Sequence, residues 1–377
     1  MLPKQILMIG SDLHTNGGIA SVVKCYHKAY SRNKDAYNLN FTLLRTYYYK
    51  DKGPLAELFI LVKAIFQCIW YLSSRRIDVV HIHSSAGVSF ARKTIFVYIC
   101  KAFGKKTILH LHASRFYDFF LPQGGLKKKW INTVFKKVDL VIALCSDWET
   151  HIRAHYPEVN VRTIHNPVDL QQMEFTPKIK QERDFRVIFV GFLIESKGIK
   201  DLLNLARQLK DQGKTHIKFI LAGKGELENY ILDYVSRYEL EQQVNYIGWV
   251  SGDTKDQLYR DADLFFLPSY KEGMPMSILE AMSYSLPVVS TNIAGIPDLI
   301  DNGKNGFMLK PGDIEGFNQK ISQLAASPEM LAQFREQSYK KVSDFDTEKI
   351  LKQIEDVYQQ ISGASSHSNE PPVQANP

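Results

Sequence analysis

The chain has 377 residues, a length that favours two domains of ordinary size over one. Hydrophobic residues make up 45% and charged residues 23%, which is enough for two cores and typical of a soluble protein. The spacing of the four cysteines argues against both a zinc site and a disulfide framework. These residues are Cys25, Cys68, Cys100 and Cys145.

The net charge of +7 is unevenly distributed along the chain. Residues 1–170 contain 24 Lys and Arg against 11 Asp and Glu, whereas residues 171–377 contain 23 against 29. The first half is therefore predicted to meet an anionic surface or substrate, although drift of solvated surface charge produces the same pattern. Nucleic acid is not the expected partner, because no base-stacking aromatic motif is interleaved with the basic residues.

Short apolar runs alternate with helical patterns along the whole chain. Continuous apolar runs of this length are typical of strands in a parallel sheet with both faces covered. Repeated strand–helix units predict a doubly wound α/β fold. The predicted strands are 5–11, 78–83, 107–112 and 140–145 in the first half, and 185–191, 217–223, 244–248, 264–268 and 287–290 in the second.

Two apolar segments bear on location. The N-terminal run is too short for a signal peptide and lacks a cleavage site. The longest apolar segment, 55–72, carries Glu57, Lys63 and Gln67 and is predicted to fall short of a membrane span. The expected location is therefore cytoplasmic.

The strand–helix alternation breaks once, at the proline-containing polar segment 166–183, which we interpret as a linker. The predicted fold is α/β, with two facing Rossmann-like domains and an interdomain cleft that receives the carboxyl ends of the strands. The predicted divisions are an acceptor-binding domain at 1–170, a donor-binding domain at 171–343, a C-terminal helix at 344–362 and a disordered tail at 363–377.

Two features of the first half bear on binding. Gly17 and Gly18 lie between a predicted strand and a predicted helix, where glycine permits close backbone approach to an anion or a sugar, or forms a tight turn only. Segment 124–138 reads as a basic amphipathic helix, which predicts peripheral contact with anionic lipid. The alternative is an ordinary helix whose apolar stripe packs on its own sheet.

Histidines alternate at the ends of two predicted strands, so each pair shares one face of the sheet. The pairs are His81 with His83 and His110 with His112. Such spacing is compatible with a metal site, but no cysteine or acidic residue joins the histidines, and no metal is expected. The last member of each pair is predicted to lie nearest the cleft, and buried structural roles are predicted for His81 and His110.

The segment 268–301 is the richest in candidate site residues. A predicted strand ends at Pro268, and a helix is predicted to begin near Pro275, with Glu272 in the loop and Glu280 in the helix. A helix start beside a glycine suits phosphate, and carboxylates accept hydrogen bonds from sugar hydroxyls. The backbone N–H groups expected to face the phosphate are those of Gly273, Met274 and Met276.

A second motif places a cation at the start of another helix. A predicted strand ends at Gly191, and Lys197 with Gly198 opens the following helix. Lysine charge beside the positive end of a helix dipole suits a leaving diphosphate.

The E-x7-E spacing of Glu272 and Glu280, followed by LPVVST, AGIPDLI and DNGKNGFML, resembles the family 4 retaining glycosyltransferases of GT-B fold. The resemblance implies that His112, Lys197 and Glu272 act at the donor sugar and its phosphates. It implies contact with the ribose for Glu280. Further donor-binding positions that it implies are Gly17, Gly18, Gly191, Gly223, Trp249, Val250, Gly273, Met274 and Met276.

This sequence departs from the family pattern at two positions. Phe192 stands where an arginine usually follows the strand-end glycine, and Ser285 stands where glycine is frequent. The first change removes one expected cation from the donor site.

The resemblance implies transfer of a sugar from a nucleotide-diphosphate sugar to a saccharide or polyprenyl-linked acceptor, in surface-polysaccharide assembly at the inner face of the membrane. No cofactor or metal is expected. Two alternatives remain open at this point: a nucleotide-sugar 2-epimerase of the same architecture, and a non-catalytic glycan-binding partner of a transferase.

Overall fold

The structure is a computed structural model that describes residues 3–13, 17–32, 37–46, 53–121, 124–170 and 184–363. The chain divides into two compact units, residues 1–165 with 347–377, and residues 166–346. Residues 171–183 of the predicted linker and 364–377 of the predicted tail lie outside the described residues.

The first unit is a parallel six-stranded sheet with the order β2-β1-β3-β4-β5-β6. Its strands are β1 (Lys4–Gly10), β2 (Leu39–Arg45), β3 (Val79–Ser84), β4 (Lys106–Leu111), β5 (Leu140–Ala143) and β6 (Val161–Thr163). Its helices are α1 (Gly18–Arg32), α2 (Pro54–Ser74), α3 (Val88–Ala102), α4 (Phe116–Phe120), α5 (Gly125–Lys137), α6 (Ser146–His155) and α14 (Thr347–Gly363).

The second unit is also a parallel six-stranded sheet, with the order β12-β11-β10-β7-β8-β9. Its strands are β7 (Phe185–Val190), β8 (Ile217–Ala222), β9 (Val244–Tyr246), β10 (Leu264–Leu267), β11 (Val288–Thr291) and β12 (Gly306–Leu309). Its helices are α7 (Ile199–Asp211), α8 (Glu228–Arg237), α9 (Asp253–Asp261), α10 (Met276–Ser283), α11 (Ile296–Leu299), α12 (Ile314–Ala326) and α13 (Pro328–Val342).

The α/β prediction is confirmed, and the strand order of the second unit is that of a Rossmann sheet. Strands β2, β6 and β12 were not predicted. Each lies at an edge of its sheet, and β6 and β12 are only three and four residues long. Polar residues interrupt β2 (LNFTLLR) and β6 (VRT), and β12 (GFML) begins with a glycine and is short, so these strands lack the longer continuous apolar run by which the central strands were recognised.

The C-terminal helix belongs to the first unit and does not stand apart as the predicted segment 344–362. In α14 the hydroxyl of Tyr358 lies 2.6 Å from His81 Nδ1, and Glu355 Oε1 accepts a hydrogen bond of 3.1 Å from the backbone N–H of Asn38. Gly363, assigned to the tail from sequence, is the last residue of this helix. The chain therefore returns to its first unit to complete it.

Two expectations about membrane contact are changed by the burial of α5 and α2. The apolar residues of α5, Ile131, Val134 and Phe135, are buried in the first unit, so its stripe packs on the protein itself. In contrast, residues Leu55–Ser74 of α2 form a helix that is long and apolar enough to cross a membrane, judged by length and composition alone. Only 17% of the apolar window within this helix is buried in the protein. The prediction that this segment falls short of a membrane span therefore gave too much weight to its few polar residues.

Candidate active site

The second unit brings two loops together where its strand connections change direction. Strands β7 and β10 are neighbours, and the chain continues outward from them to opposite edges of the sheet. In open parallel sheets this switch point leaves a crevice beyond the carboxyl ends of the two strands. The loop after β7 leads to Lys197, and the loop after β10 contains Glu272.

These two side chains form a direct ion pair. Lys197 Nζ lies 2.6 Å from Glu272 Oε1, and the hydroxyl of Ser269 donates to the same oxygen at 2.8 Å. The side chain of Glu272 is 4% exposed and that of Lys197 is 19% exposed. The structure therefore places the two predicted residues side by side and adds Ser269, which was not identified from sequence.

The backbones of the two loops also touch. The N–H of Tyr270 donates to the carbonyl of Ser196 at 2.8 Å. Gly198 adopts a left-handed conformation with φ of 72°, and a Cβ atom at this position would lie 2.1 Å from the carbonyl oxygen of Pro268. Only glycine satisfies both the conformation and the space, which explains why glycine follows Lys197.

A third loop, after β8, packs against the loop after β7. A Cβ atom on Gly223 would lie 1.8 Å from the carbonyl oxygen of Gly191, and one on Gly225 would lie 2.4 Å from that of Leu193. The N–H of Leu193 donates to the carbonyl of Lys224 at 2.9 Å. Gly223 therefore serves the close packing of these loops.

Helix α10 begins at Met276 with Pro275 as its N-cap, in agreement with the predicted start near Pro275. Before it, Gly273 accepts a hydrogen bond of 2.9 Å from the N–H of Gly295, and the carbonyl of Met274 accepts one of 2.9 Å from Asn166 Nδ2. These bonds hold the loop by its carbonyls, and the N–H groups of the first helical turn have no partner within the helix.

Glu280 has different partners from Glu272. Its Oε1 atom accepts from Lys255 Nζ at 2.8 Å and its Oε2 atom accepts from the Tyr259 hydroxyl at 3.0 Å. Burial, together with the Glu280 charge, raises the pKa of Tyr259 well above its usual range. Lys255 and Tyr259 lie on α9, where the sequence contains no motif to single them out.

At the ends of β7, β8 and β9, exposed aromatic rings replace the expected arginine. The rings of Phe192 and Trp249 are 5.9 Å apart, and Lys224 Nζ lies 5.3 Å from the centre of the Trp249 ring. Phe192 is 38% exposed and Trp249 is 44% exposed, while Val250 is half-buried. A cation is thus present in this cluster, on the loop after β8.

Ser285 adopts a left-handed conformation with φ of 60°, at the position where the resembled family often has glycine. The hydrogen bond from its N–H to the carbonyl of Met282, at 2.9 Å, belongs to the turn that ends α10. The backbone requirement is therefore retained although the residue differs, at a cost of about 1 kcal/mol.

In the first unit, Gly17 precedes α1 and Gly18 is its first residue. Gly17 has φ of 134°, and a Cβ atom at either position would meet nothing within 4 Å. Their backbone is thus unobstructed among the described residues, as close approach of a ligand requires. Residues 14–16 of the same turn lie outside the described residues.

The histidines of β3 and the end of β4 form a stacked cluster. His81 Nε2 lies 3.2 Å from His110 Nδ1, and His83 Nδ1 lies 2.9 Å from His112 Nε2. The first three are fully buried and His112 is half-buried. Burial of His81 and His110 agrees with the prediction, but His83 is equally buried and does not line an open surface.

Burial lowers the pKa of His81 and of His112 to about 3, and burial together with the neighbouring rings lowers the pKa of His83 and of His110 well below the usual value. The cluster is therefore neutral near pH 7. Ligand atoms of His81, His83 and His110 come within 4.8 Å of one another, the geometry of a possible metal site. Each ring already uses a nitrogen in the ring–ring hydrogen bonds.

Sequence reasoning also missed Lys93, which is buried beside this cluster and bonded to the hydroxyl of Thr46. Burial, with the nearby Arg92 charge, lowers the pKa of Lys93 to about 7. A single lysine within a helical pattern carries no signal that it will be buried.

A cavity of about 690 Å³ lies at the amino ends of strands in the second sheet, lined by residues such as Arg186, Lys218 and Gln243. Arg186 and Lys218 lie near the amino ends of β7 and β8, and Gln243 immediately precedes β9. Ligands of open α/β sheets bind beyond the carboxyl ends. The candidate site is therefore the Lys197–Glu272 region and not this cavity.

The chain matches two family models, one in each half. Residues 27–172 match "Glycosyltransferase Family 4" and residues 171–341 match "Glycosyl transferases group 1". Together the two matches cover residues 27–341, so the chain belongs to the family 4 glycosyltransferases, with the GT-B fold of two Rossmann-like domains.

Two relatives show how far the similarity extends. WcaL of Escherichia coli K12, whose name assigns it to colanic acid biosynthesis, is 26% identical over 237 residues, covering 60% of this chain and 58% of WcaL. The match thus spans less than two thirds of that relative. An Escherichia coli UDP-Gal:alpha-D-GlcNAc-diphosphoundecaprenol alpha-1,3-galactosyltransferase is 25% identical over 321 residues, 79% of each chain.

A solved structure shows the same fold. Anabaena HepE in complex with UDP has a TM-score of 0.71 and 18% identity, over 94% of this chain and all of that chain. At this identity the likeness establishes the architecture alone.

The contact at Gly198 generates a prediction with an internal control. Gly198→Ala should disturb the loop and lower sugar transfer, because its Cβ would clash with the Pro268 carbonyl. Gly213→Ala has the same positive φ (73°) but open space around it, so it should cost only the backbone strain, about 1–2 kcal/mol. Urea unfolding and initial rates measure both; equal effects of the two substitutions would contradict the prediction.

The histidine cluster predicts acid sensitivity. Unfolded histidines take up protons near pH 6.5, whereas folded His81 and His112 do so only near pH 3. Between these values the unfolded state binds more protons, so the free energy of unfolding falls as the pH falls, by about 1.4 kcal/mol per pH unit for each such histidine. His81→Gln should flatten this slope by about one histidine's share, measured by urea unfolding from pH 6 to pH 4. An unchanged slope in His81→Gln would refute the assignment.

Proposed function

We propose that the protein is a retaining glycosyltransferase that moves a sugar from a nucleotide-diphosphate sugar to a saccharide or polyprenyl-linked saccharide during surface-polysaccharide assembly. The observation that carries the proposal is the Lys197–Glu272 pair at the switch point of the second sheet, beside the start of α10. The names of the relatives support the polysaccharide context, and UDP in HepE and UDP-Gal in the galactosyltransferase name make UDP-sugars the first donors to test.

The diphosphate of the donor is assigned to Lys197 and the N-terminal turn of α10. Negative charge on the leaving diphosphate grows as the glycosidic bond breaks, and a positioned ammonium group and helix N–H groups stabilise that charge. In the free protein Glu272 holds the lysine in place at 2.6 Å. Its carboxylate is also a good acceptor for donor-sugar hydroxyls.

Glu280 is assigned to the ribose hydroxyls. Both of its oxygens already accept hydrogen bonds from Lys255 and Tyr259, which fix the orientation of the carboxylate. A carboxylate oxygen has more than one acceptor site, so a ribose hydroxyl binds without displacing these partners. The Trp249–Val250 backbone is assigned to the edge of the base.

The role of His112 in the first unit follows from its neutral state. A neutral ring hydrogen-bonds to a sugar hydroxyl without placing a positive charge beside the developing positive charge on the sugar. His83 Nδ1 hydrogen-bonds its Nε2 atom and so fixes the ring orientation. Retention is proposed to occur on one face of the sugar, with the departing phosphate oxygen helping to deprotonate the acceptor.

We further propose a cytoplasmic location with peripheral contact to an anionic membrane, the site of a polyprenyl-linked acceptor. The excess of 24 basic over 11 acidic residues in 1–170 supports this orientation of the first half toward lipid phosphates.

The overall assignment is tested by incubating the purified chain with a panel of nucleotide sugars and polyprenyl-diphosphate-linked acceptors. Release of the nucleoside diphosphate should require acceptor, and NMR of the product should show the anomeric configuration of the donor. Conversion of the donor without acceptor would support an epimerase instead, and an inverted product would overturn the retaining mechanism.

The ion pair at the centre of the site predicts a pattern among three variants. Lys197→Met should lower transfer by at least about 100-fold, and it should also destabilise the fold by about 3–5 kcal/mol because Glu272 is left buried and unpaired. The double variant Lys197→Met/Glu272→Gln should recover stability but not transfer. Initial rates and urea unfolding provide the two readouts.

The matched control is the exposed pair of Lys200 and Glu195, 2.7 Å apart in the same loop region. Lys200→Ala should leave transfer and stability close to wild type, since exposed ion pairs contribute little. Recovery of transfer in the double variant would show that the Lys197–Glu272 pair is only structural.

Lys224 is predicted to supply the positive charge that Phe192 removes. Lys224→Ala should raise KM for the donor about 10-fold, and Phe192→Arg in the same chain should restore it, because the two positions belong to one cluster around Trp249. Lys218→Ala, at the amino end of β8, is the control. Steady-state kinetics at varied donor concentration measure KM for each variant. An unchanged KM for the donor in Lys224→Ala would exclude this role.

A further inference from the structure

Helix α2 presents a second apolar stripe away from the sheet that it packs on. Ala64, Cys68 and Leu72 are buried against the first unit. The large apolar residues exposed on the same helix are Leu55 (83%), Leu58 (57%), Phe59 (70%), Val62 (41%), Phe66 (68%), Ile69 (37%) and Trp70 (53%). Their spacing of three and four residues makes a continuous stripe along the helix.

The stripe continues onto the neighbouring helix. Helix α3 packs against α2 and exposes Val88 (71%), Ile95 (39%) and Tyr98 (42%). An exposed apolar surface of this extent, on a protein that is otherwise normally covered, marks a binding surface.

Basic residues border this surface. The guanidinium group of Arg75 lies 5.1 Å and 5.0 Å from the ring centres of Trp70 and Tyr71, at the end of α2. Lys137 of α5 lies 5.2 Å from the centre of the Tyr98 ring. Aromatic rings with adjoining cations are typical of the region where a bilayer meets water.

We infer that the α2–α3 face, defined by the exposed apolar residues above, is a monolayer-embedded surface that binds anionic lipid. The helix lies in the plane of the membrane and does not cross it, because α2 connects β2 to β3 of the same parallel sheet and keeps one side buried on it. Its apolar stripe enters the acyl region, and the bordering Lys and Arg side chains meet lipid phosphates.

Charge selects lipid over a second copy of the chain as the occupant. A symmetric dimer through this face would bring together two copies of a half in which basic residues outnumber acidic ones by 24 to 11. Anionic headgroups neutralise this excess, whereas a second copy doubles it. Lipid binding by this face does not depend on the proposed transfer reaction, and each is measured without the other.

The first experiment compares the full chain and two double variants in flotation with vesicles of phosphatidylcholine containing phosphatidylglycerol. Phe59→Ser/Phe66→Ser should weaken binding at least about 10-fold, because two buried phenyl groups are lost from the bilayer. Tyr230→Ser/Leu232→Ser removes two exposed apolar groups (37% and 54%) from α8 in the second unit and should bind like wild type. Circular dichroism of each variant confirms folding.

A second measurement locates the helix directly. Brominated acyl chains should quench tryptophan fluorescence of the vesicle-bound wild type, and Trp70→Phe should remove most of that quenching while vesicle binding persists. No binding by the wild type, equal binding by Phe59→Ser/Phe66→Ser, or quenching that survives Trp70→Phe would each overturn the inference. So would a dimer that is split by Phe59→Ser/Phe66→Ser and that does not float with vesicles.

Discussion

The contact between Lys197 and Glu272 is the interaction on which the candidate site depends, and the topology of the second sheet makes it possible. Because β7 and β10 are neighbours whose connections lead to opposite edges, the loops that follow them meet beyond their carboxyl ends. A carboxylate that is 4% exposed needs a partner, and a lysine on the facing loop provides it. The same pairing keeps a cation fixed at the place that we propose for the diphosphate of the donor.

Glycines make this arrangement of loops possible. At Gly198, Gly223 and Gly225 a Cβ atom would lie within 2.4 Å of a carbonyl oxygen on the adjacent loop. The backbones of these three loops can therefore pack directly against one another, with the side chains of the loops outside this contact. Gly17 and Gly18 of the first unit differ, because the space around them is open. Glycine thus serves two purposes in the two units: close packing in one and unobstructed backbone in the other.

The central strands were predictable because each is a continuous apolar run. The residues of the ion pair were predictable because each is a charged residue in the loop that follows such a run. Other features depend on contacts between distant residues and left no local signal. Tyr358 reaches His81 across 277 positions of sequence, and the partners of Glu280 lie on α9. The edge strand β2 was missed because polar residues interrupt its apolar pattern, and β12 was missed because it has only four residues and begins with a glycine. Burial of His83 was missed because alternation reveals which face a residue occupies but not what covers that face.

The helices α2 and α5 show why hydropathy and amphipathicity must be combined with packing before a membrane surface is assigned. The apolar residues of α5 satisfy an amphipathic pattern, yet Ile131, Val134 and Phe135 are buried in the core, so its apolar stripe is covered by the protein. Helix α2 has apolar residues on two sides, and the sheet can cover only one of them. The second apolar face of α2 stays exposed and needs an apolar environment, and the basic character of the surrounding half favours a bilayer with anionic headgroups as that environment.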